Sequence, residues 1–172
     1  LLTLVLCWRL KLVYALSALI GLIHDVLITI GLLSILNVEI DLIVIAGLLT
    51  VVGYSLNDTI IVFDRIRENL HKADRPGLAA IINNSVNQTL SRTILTSATT
   101  LMVLFALFFL GGAILQDFAL TMIIGVVTGT YSSIFISSPI LLAFGEPPAP
   151  QDEDESKRIK EMLQKSHDGA IV

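Results

Sequence analysis

One stretch of the chain places a carboxylate inside a segment long enough to cross a membrane. Residues 42–62 form an apolar run that contains Asn57 and Asp58. In a helix, about 20 residues cross the ~30 Å hydrocarbon core of a bilayer. An acidic side chain at that depth costs roughly 2.5–3.5 kcal/mol on insertion scales, and it usually faces protein or water. We therefore predict that Asp58, with Asn57 beside it, binds a proton or an ion. The alternative is a structural hydrogen bond between packed helices.

Arg92 is the candidate partner of Asp58. On a helix that begins near Ser85, Arg92 shares one face with hydroxyl and amide side chains, namely Ser85, Gln88, Thr96 and Thr99. A guanidinium stays protonated and cannot relay a proton, but its approach or withdrawal changes the proton affinity of a carboxylate. The alternative is an arginine that extends its head group to the membrane surface.

His24 and Asp25 form a second polar pair, near the middle of the apolar segment 12–36. They are candidates for a second proton relay, with a hydrogen bond between packed spans as the alternative. No metal site is predicted, because one His-Asp pair without further spaced ligands is a weak signal. An aspartyl protease built on Asp25 and Asp58 would need the two carboxylates to share a proton, and the sequence lacks a Gly-x-Gly-Asp motif.

Small residues indicate where helices approach each other closely. Gly125 and Gly129 lie four residues apart, a spacing typical of close helix packing in membranes. Gly53, on the segment that carries Asp58, is a third candidate packing position. These positions carry no information about a substrate.

The elements that must hold these side chains are membrane-spanning helices. The chain has 172 residues, 54% of them hydrophobic, and a mean hydropathy of +0.81, which is too apolar for an ordinary soluble domain. We predict an all-α polytopic membrane protein with a bundle over residues 1–146 and a soluble tail over 147–172. The predicted spans are a partial one at 1–6 and complete ones at 12–36, 42–62, 94–110 and 118–144. Turns are predicted at 8–11, 37–41 and 111–117, and a helical loop at 64–90, broken at Pro76 and Gly77.

The distribution of positive charge predicts the orientation. The turns at 37–41 and 111–117 carry no Lys or Arg, whereas Arg9, Arg65 and the tail lie at the other ends of the spans. The positive-inside rule then places the latter group, including the tail, in the cytoplasm. The single cysteine, Cys7, excludes an intrachain disulfide.

Four segments resemble the SecF subunits of the SecD/SecF family of bacterial protein-export proteins. They are residues 53–69 (GYSLNDTIIVFDRIREN), 18–25 (ALIGLIHD), 87–97 (NQTLSRTILTS) and the stretch from Gly125 onward. The resemblance runs from Trp8 to Glu146. It implies an RND-like transmembrane helix bundle in which Asp58 is the family's intramembrane carboxylate and Arg92 its mobile basic partner. It also implies a first span and an extracytoplasmic domain upstream, so we expect the chain to be the C-terminal part of a longer protein.

The resemblance also implies a function and partners. The function is an auxiliary, non-enzymatic role in Sec export, in which the proton-motive force drives preprotein translocation across the bacterial inner membrane. The implied partners are SecD, the SecYEG channel, YajC, YidC, the preprotein and membrane lipids, with no nucleic acid. No cofactor is expected, since the chain has no Gly-x-x-x-x-Gly-Lys loop for ATP. The alternatives are half of an RND-type small-molecule or lipid transporter and a purely structural stabiliser of the translocase.

Overall fold

Four long helices make up most of the chain. The computed structural model describes residues 2–72 and 77–144, with side chains described for 13–70 and 77–144. The elements are α1 (Leu2–Ile35), α2 (Leu42–Lys72), α3 (Leu78–Leu110), α4 (Gly112–Ser132), a π-helix (Ser133–Ser137) and α5 (Ser138–Ala143). All the regular structure in these ranges is helical, and four segments are long and apolar enough to cross a membrane: Val13–Ile35, Leu42–Leu70, Leu78–Leu110 and Gly112–Ala143. The predicted all-α multi-pass membrane fold is confirmed.

The first helix has no turn where one was predicted. α1 runs without a break from Leu2 to Ile35, through residues 8–11. No Gly or Pro lies between Leu2 and Val13 to interrupt a helix, and Trp, Arg and Lys are compatible with helical backbone. Charged residues mark where a helix leaves the hydrocarbon core, but they do not end it.

The turn between α1 and α2 lies where the sequence placed it. Asn37 has a positive φ of 54°, a conformation that Asn tolerates better than most residues. Asp41 then caps α2, because its Oδ1 accepts hydrogen bonds from the backbone N–H groups of Ile43 (3.0 Å) and Val44 (2.8 Å).

The far ends of α2 and α3 are joined by polar side chains. α2 continues past its apolar part to Lys72, as the amphipathic spacing predicted. Asn69 donates to Ser85 Oγ (2.8 Å) and to Gln88 Oε1 (3.1 Å), and Arg65 Nε donates to the same Gln88 oxygen (2.6 Å). The segments predicted as 78–90 and 94–110 form one helix, α3, which begins after Gly77. Residues 73–76, including the predicted break at Pro76, lie outside the described part of the chain.

The turn between α3 and α4 is shorter than predicted. Gly111 donates its N–H to Leu107 O (2.8 Å) and ends α3, and Gly112 has a φ of +75°, which favours glycine. These two residues reverse the chain, so residues 113–117 belong to α4 rather than to a loop. The predicted tail at 147–172 lies outside the described residues.

The predicted fourth span contains a π-helix at Ser133–Ser137. Pro139, just after it, has no N–H to donate to the carbonyl four residues back, so a regular α-helix cannot be completed there. The Ser138 hydroxyl instead donates to Ser133 O five residues back (2.9 Å). The wider turn spaces buried residues by five, so that Ser132 and Ser137 both face the inside of the bundle.

The α4 segment lies at the centre of the bundle. Half of the span within 112–143 is buried (50%), against 17% of the span in α3, and α4 packs on α1, α2 and α3. Two apolar clusters fill the interior, one around Val62, Ile66 and Leu141 and the other around Val51 and Val126. A layer of buried polar side chains lies between these two clusters.

Candidate functional site

The buried polar layer is built from one face of each long helix. In α1 every fourth residue from Ser17 to Thr29 faces inward, and these positions are polar or small. The side chains of the polar layer as a whole are fully or almost fully buried: Ser17, Asp25, Thr29, Ser55, Asp58, Thr59, Thr93, Ser97, Ser132, Ser133 and Ser137. Burying this many polar groups in a span is unfavourable unless they are hydrogen-bonded or serve a function.

Asp58 is the carboxylate of this layer that lacks partners. Its side chain is 1% exposed, and Oδ2 has no hydrogen-bond partner. Among the described residues no Lys or Arg forms an ion pair with Asp58. Asn57, predicted beside it, is exposed and points away from the layer. Because no donor holds its Oδ2, the Asp58 carboxylate can take up a proton or pair with a cation.

Arg92 lies one position away from the buried face of α3. The helices α2 and α3 run antiparallel, with Tyr54 near Ser97 and Arg65 near Gln88, so the α3 residue level with Asp58 is Thr93. Thr93 is 2% exposed and its hydroxyl has no partner, whereas Arg92 is exposed. Within residues 2–72 and 77–144 the Arg92 guanidinium makes no hydrogen bond or ion pair. The expected Asp58–Arg92 contact is therefore not formed in this conformation.

The predicted polar face of α3 is for the most part its exposed face. Gln88, Thr96 and Thr99 are exposed, and only Ser85 of that set is buried. The threonines do not need a neighbouring helix, since Thr96 donates to Arg92 O (3.0 Å) and Thr99 to Leu95 O (3.0 Å). The inward face is displaced by one residue and carries Thr89, Thr93 and Ser97.

Asp25, unlike Asp58, has hydrogen-bond partners. It is fully buried, and its Oδ2 accepts a short hydrogen bond from Ser55 Oγ of α2. His24 Nδ1 lies 3.1 Å from Asp25 Oδ1, and the His24 side chain is 31% exposed. Ser55 was not singled out in the sequence. Its position three residues before Asp58, on the same helix face, is the signal that would have identified it.

A chain of hydroxyls joins α2, α3 and α4 one turn from Asp58. Tyr54 donates to Ser97 Oγ (3.4 Å), Ser97 to Thr130 Oγ1 (2.7 Å), and Thr130 to Val126 O (2.8 Å). Thr130 uses its proton on the carbonyl, so Ser97 is the donor between the two hydroxyls. On this side of Asp58 the hydroxyls are paired and hold three helices together.

Two of the three predicted packing glycines lie at close helix contacts. A Cβ at Gly125 would collide with the Val51 side chain, and one at Gly129 would lie 3.2 Å from Ser55 Cβ. Both contacts keep α2 and α4 in register and hold Ser55 against Asp25. Gly53 differs from the prediction, because it is exposed and a Cβ there would meet nothing within 4 Å. It lies on the opposite side of α2 from the contact with α4.

The arrangement fits proton chemistry better than metal binding or proteolysis. Among the residues that the structure describes, no group of three or more His, Cys, Asp or Glu is placed to hold a metal ion. Asp25 is hydrogen-bonded to Ser55 rather than to Asp58, so the two carboxylates are not arranged as a dyad that shares one proton. One carboxylate has partners and the other has none.

The sequence matches a family of protein-export membrane proteins over most of its length. Residues 1–147 match the family model for "Protein export membrane protein SecD/SecF, C-terminal". The chain is 52% identical over 143 residues to the protein translocase subunit SecF of Desulfurispirillum indicum, covering 81% of this chain and 45% of that protein. It is 49% identical over 159 residues to SecF of Vibrio alginolyticus, covering 90% and 49%. The chain thus spans about half the length of the curated relatives it matches.

Two solved structures have the same arrangement of helices. A crystal structure of SecDF in a super-membrane-facing form matches with a TM-score of 0.76 and 41% identity, over 95% of this chain and 21% of that one. A crystal structure of SecDF from Thermus thermophilus, described as a translocon-associated membrane protein, matches with a TM-score of 0.75 and 45% identity. That match covers 82% of this chain and 20% of the SecDF chain.

Proposed function

The chain belongs to the SecD/SecF family of protein-export membrane proteins, and we propose that it is the membrane part of an auxiliary subunit that couples the proton-motive force to preprotein translocation. The relatives at about half identity are named protein translocase subunits, which supports the export function. The observation that carries the coupling is Asp58, a carboxylate buried in a span without a partner.

The proposed coupling element is the pair formed by Asp58 and Arg92. Arg92 is one residue from Thr93, so a rotation of α3 by about 100°, the angle between successive residues of an α-helix, exchanges Thr93 for Arg92 at the level of Asp58. A guanidinium beside Asp58 favours the ionised carboxylate, and its withdrawal favours protonation. Each proton that crosses 100 mV releases about 2.3 kcal/mol, which biases a two-state helix of this kind.

Asp25 and His24 have a supporting role next to Asp58. Asp25 is tied to Ser55, one turn from Asp58, and His24 beside it is partly exposed. The pair therefore orients Ser55 and α2 next to Asp58, and it offers a second position for a proton.

The orientation and partners follow from charge and from the relatives. Arg65 and Arg67 lie at one end of α2, on the same side of the bundle as Arg9 at the start of α1. By the positive-inside rule we assign that side to the cytoplasm of a bacterial inner membrane, with the tail on it. A SecD-type half is the proposed partner, because the matched solved structures are SecDF molecules. SecYEG, YajC and YidC complete the proposed assembly.

The test is proton-gradient-dependent export by vesicles that contain the full-length protein and its SecD-type partner. Asp58→Asn keeps the shape of the side chain and removes its charge and its titration. We expect the stimulation by the proton gradient to be lost while the complex stays assembled. Asp64→Asn is the matched control, since Asp64 is an exposed carboxylate on the same helix, and this variant is expected to retain the stimulation.

The same assay separates the proposal from a purely structural function. If vesicles with Asp58→Asn respond to the gradient as the wild type does, Asp58 is not the coupling group and the chain acts as a stabiliser of the translocase. If both substitutions abolish export together with assembly, the loss reflects folding. The amount of assembled complex therefore has to be measured in every sample.

A further inference from the structure

Unpaired hydroxyls in the bundle are confined to one side of Asp58. Among the side chains of residues 13–70 and 77–144, the buried oxygens without a hydrogen-bond partner belong to Tyr14, Ser17, Asp58, Thr93, Ser132 and Ser137. Toward the turn at Gly111, the hydroxyls of Ser55 and Ser97 are paired. The unpaired oxygens lie level with Asp58 or between Asp58 and the end of the bundle that carries Arg65.

The helix contacts give the levels of these oxygens. Gly125 packs on Val51 and Gly129 on Ser55, so Ser132, three residues further along α4, is level with Asp58. α1 runs antiparallel to α2. Its Asp25 bonds to Ser55 and its Tyr14 ring packs edge-on against Phe63 at 5.4 Å, so Ser17 lies between these two levels. The unpaired oxygens therefore follow the bundle axis from Asp58 toward the charged end.

Gly21 lies next to two of these serines. A Cβ on Gly21 would collide with Ser137 Oγ and would lie 3.9 Å from Ser132 Oγ. Ser17 is one turn away on the same face of α1. The absence of a side chain at Gly21 thus lets the Ser137 hydroxyl approach α1, with the Ser132 hydroxyl nearby. The π-helix contributes as well, because its five-residue spacing turns both Ser132 and Ser137 inward.

The buried serine hydroxyls without partners are unfavourable unless another molecule hydrogen-bonds to them. A buried hydroxyl without a partner costs about 1–3 kcal/mol, and Ser17, Ser132 and Ser137 are each 0% exposed. A serine in a helix normally satisfies itself by donating to a carbonyl one turn back, as Ser138 does across the π-helix. These three do not, so their donors and acceptors are available for another molecule. A buried water molecule typically makes about three hydrogen bonds to polar groups that otherwise have no partner.

We infer that Ser17, Ser132 and Ser137 form a buried water site around Gly21, which connects Asp58 to the aqueous side at the Arg65 end of the bundle. Water in this site supplies Asp58 with the hydrogen-bond donor that no described residue provides. When Asp58 releases its proton, the proton passes to this water while another leaves toward Tyr14 and the charged end, so charge is conserved. The existence of the site is independent of the proposed function, whereas its part in proton transfer rests on it.

The existence of the site is tested by water-edited solid-state NMR on the full-length protein in lipid bilayers, with carbon-13 at the serine Cβ positions. This measurement follows magnetisation from water into nearby side chains, and single Ser→Ala variants assign the signals. We expect Ser17, Ser132 and Ser137 to receive magnetisation several-fold faster than Ser138, which is equally buried but donates to a backbone carbonyl. Equal, slow transfer at all four serines would overturn the inference.

A substitution that fills the space gives a second measurement. Gly21→Ala places a methyl group at the position of Ser137 Oγ and next to Ser132 Oγ. We expect the transfer to these two residues to slow to the rate of Ser138. Unchanged signals from Ser138 and from Ser97, whose hydroxyls have partners within the protein, show that the bundle is intact. Persistence of fast transfer in a folded Gly21→Ala protein contradicts the location of the site.

The part played in proton transfer has its own readout. A Ser132→Ala, Ser137→Ala protein that still contains Asp58 is expected to show a several-fold slower gradient-driven export with unchanged assembly. If the NMR detects the water but export is unchanged, the site exists and is not on the proton route. If Asp58→Asn is also without effect on export, the proposed function fails while the water site stands.

Discussion

The two buried carboxylates of the bundle should respond in opposite ways to the same substitution. Asp58→Asn removes a charge that no described residue pairs or hydrogen-bonds, whereas Asp25→Asn removes one that accepts from Ser55 Oγ. We predict that the first substitution stabilises the folded bundle and that the second destabilises it. A buried charged residue that serves function at the expense of stability is expected to give a more stable protein when it is neutralised.

The magnitudes follow from the hydrogen bonds of each group. An unpaired buried carboxyl is costly in either state, since it lacks a counter-charge when ionised and has to take up a proton at a pH where exposed carboxylates are ionised. Replacing Asp58 by a neutral amide of the same shape should therefore gain about 1–3 kcal/mol. A hydrogen bond to a charged group contributes about 1.5–3 kcal/mol and a neutral one about half of that. Asp25→Asn keeps a neutral acceptor for Ser55 and should lose about 1–2 kcal/mol. The two variants are therefore expected to differ by about 2–5 kcal/mol.

The assay is the free energy of unfolding in mixed micelles, measured at mildly alkaline pH, where free carboxylates are ionised. Ser55→Ala serves as a check on the Asp25 contact, because it leaves Asp25 Oδ2 without its donor. In a double variant with Asp25→Asn the two losses should sum to less than their separate values. If Asp58→Asn destabilises the bundle as much as Asp25→Asn does, Asp58 has structural partners. In that case the argument for a functional carboxylate is refuted.

Two further predictions concern the elements that hold the site, and both are measured by the same unfolding assay. Gly125→Ala should destabilise the bundle by about 1–3 kcal/mol, because the added Cβ overlaps Val51, and Val51→Ala in the same chain should recover part of the loss. The control Gly53→Ala, at an open surface, should be neutral or stabilising, and an equal loss at both glycines would contradict the contact. Asp41→Ala should cost about 1 kcal/mol through loss of the α2 cap while Asp41→Asn retains it, and equal losses would show that the cap is unimportant.

The spans were predictable because their signal is physical and local. Lipid demands about 20 apolar residues and satisfied backbone groups, and these two conditions identify the spans before any packing is known. Helix ends were predicted less well. Polarity suggested turns at 8–11 and 113–117, but only an unfavourable backbone residue ends a helix, and the glycines at 111 and 112 are the ones that do so.

The buried carboxylates could be predicted from the sequence, but the α3 residue that lies opposite Asp58 could not. Asp25 and Asp58 were identified by the cost of placing acids in a span, and both are buried. Arg92 was assigned to the inner face of α3 because it follows a stripe of polar residues. Threonines bond to their own helix, however, so a polar stripe in a span does not have to face protein. Thr93, one residue on, occupies the inner position instead.

The hydrogen bonds that α3 makes within itself do not oppose the proposed rotation. Thr96 and Thr99 donate to carbonyls of their own helix, so these bonds are the same in every orientation of α3. Among the described residues, the proposed rotation would break the bonds that Ser97 makes to Tyr54 and Thr130. It would also break the three bonds that Ser85 and Gln88 accept from α2. Such bonds average about 0.6 kcal/mol in membrane proteins, with a maximum near 1.7. At that average the five bonds together amount to about 3 kcal/mol. One proton that crosses 100 mV releases about 2.3 kcal/mol, so the proposed rotation needs replacement bonds in the rotated state or more than one proton.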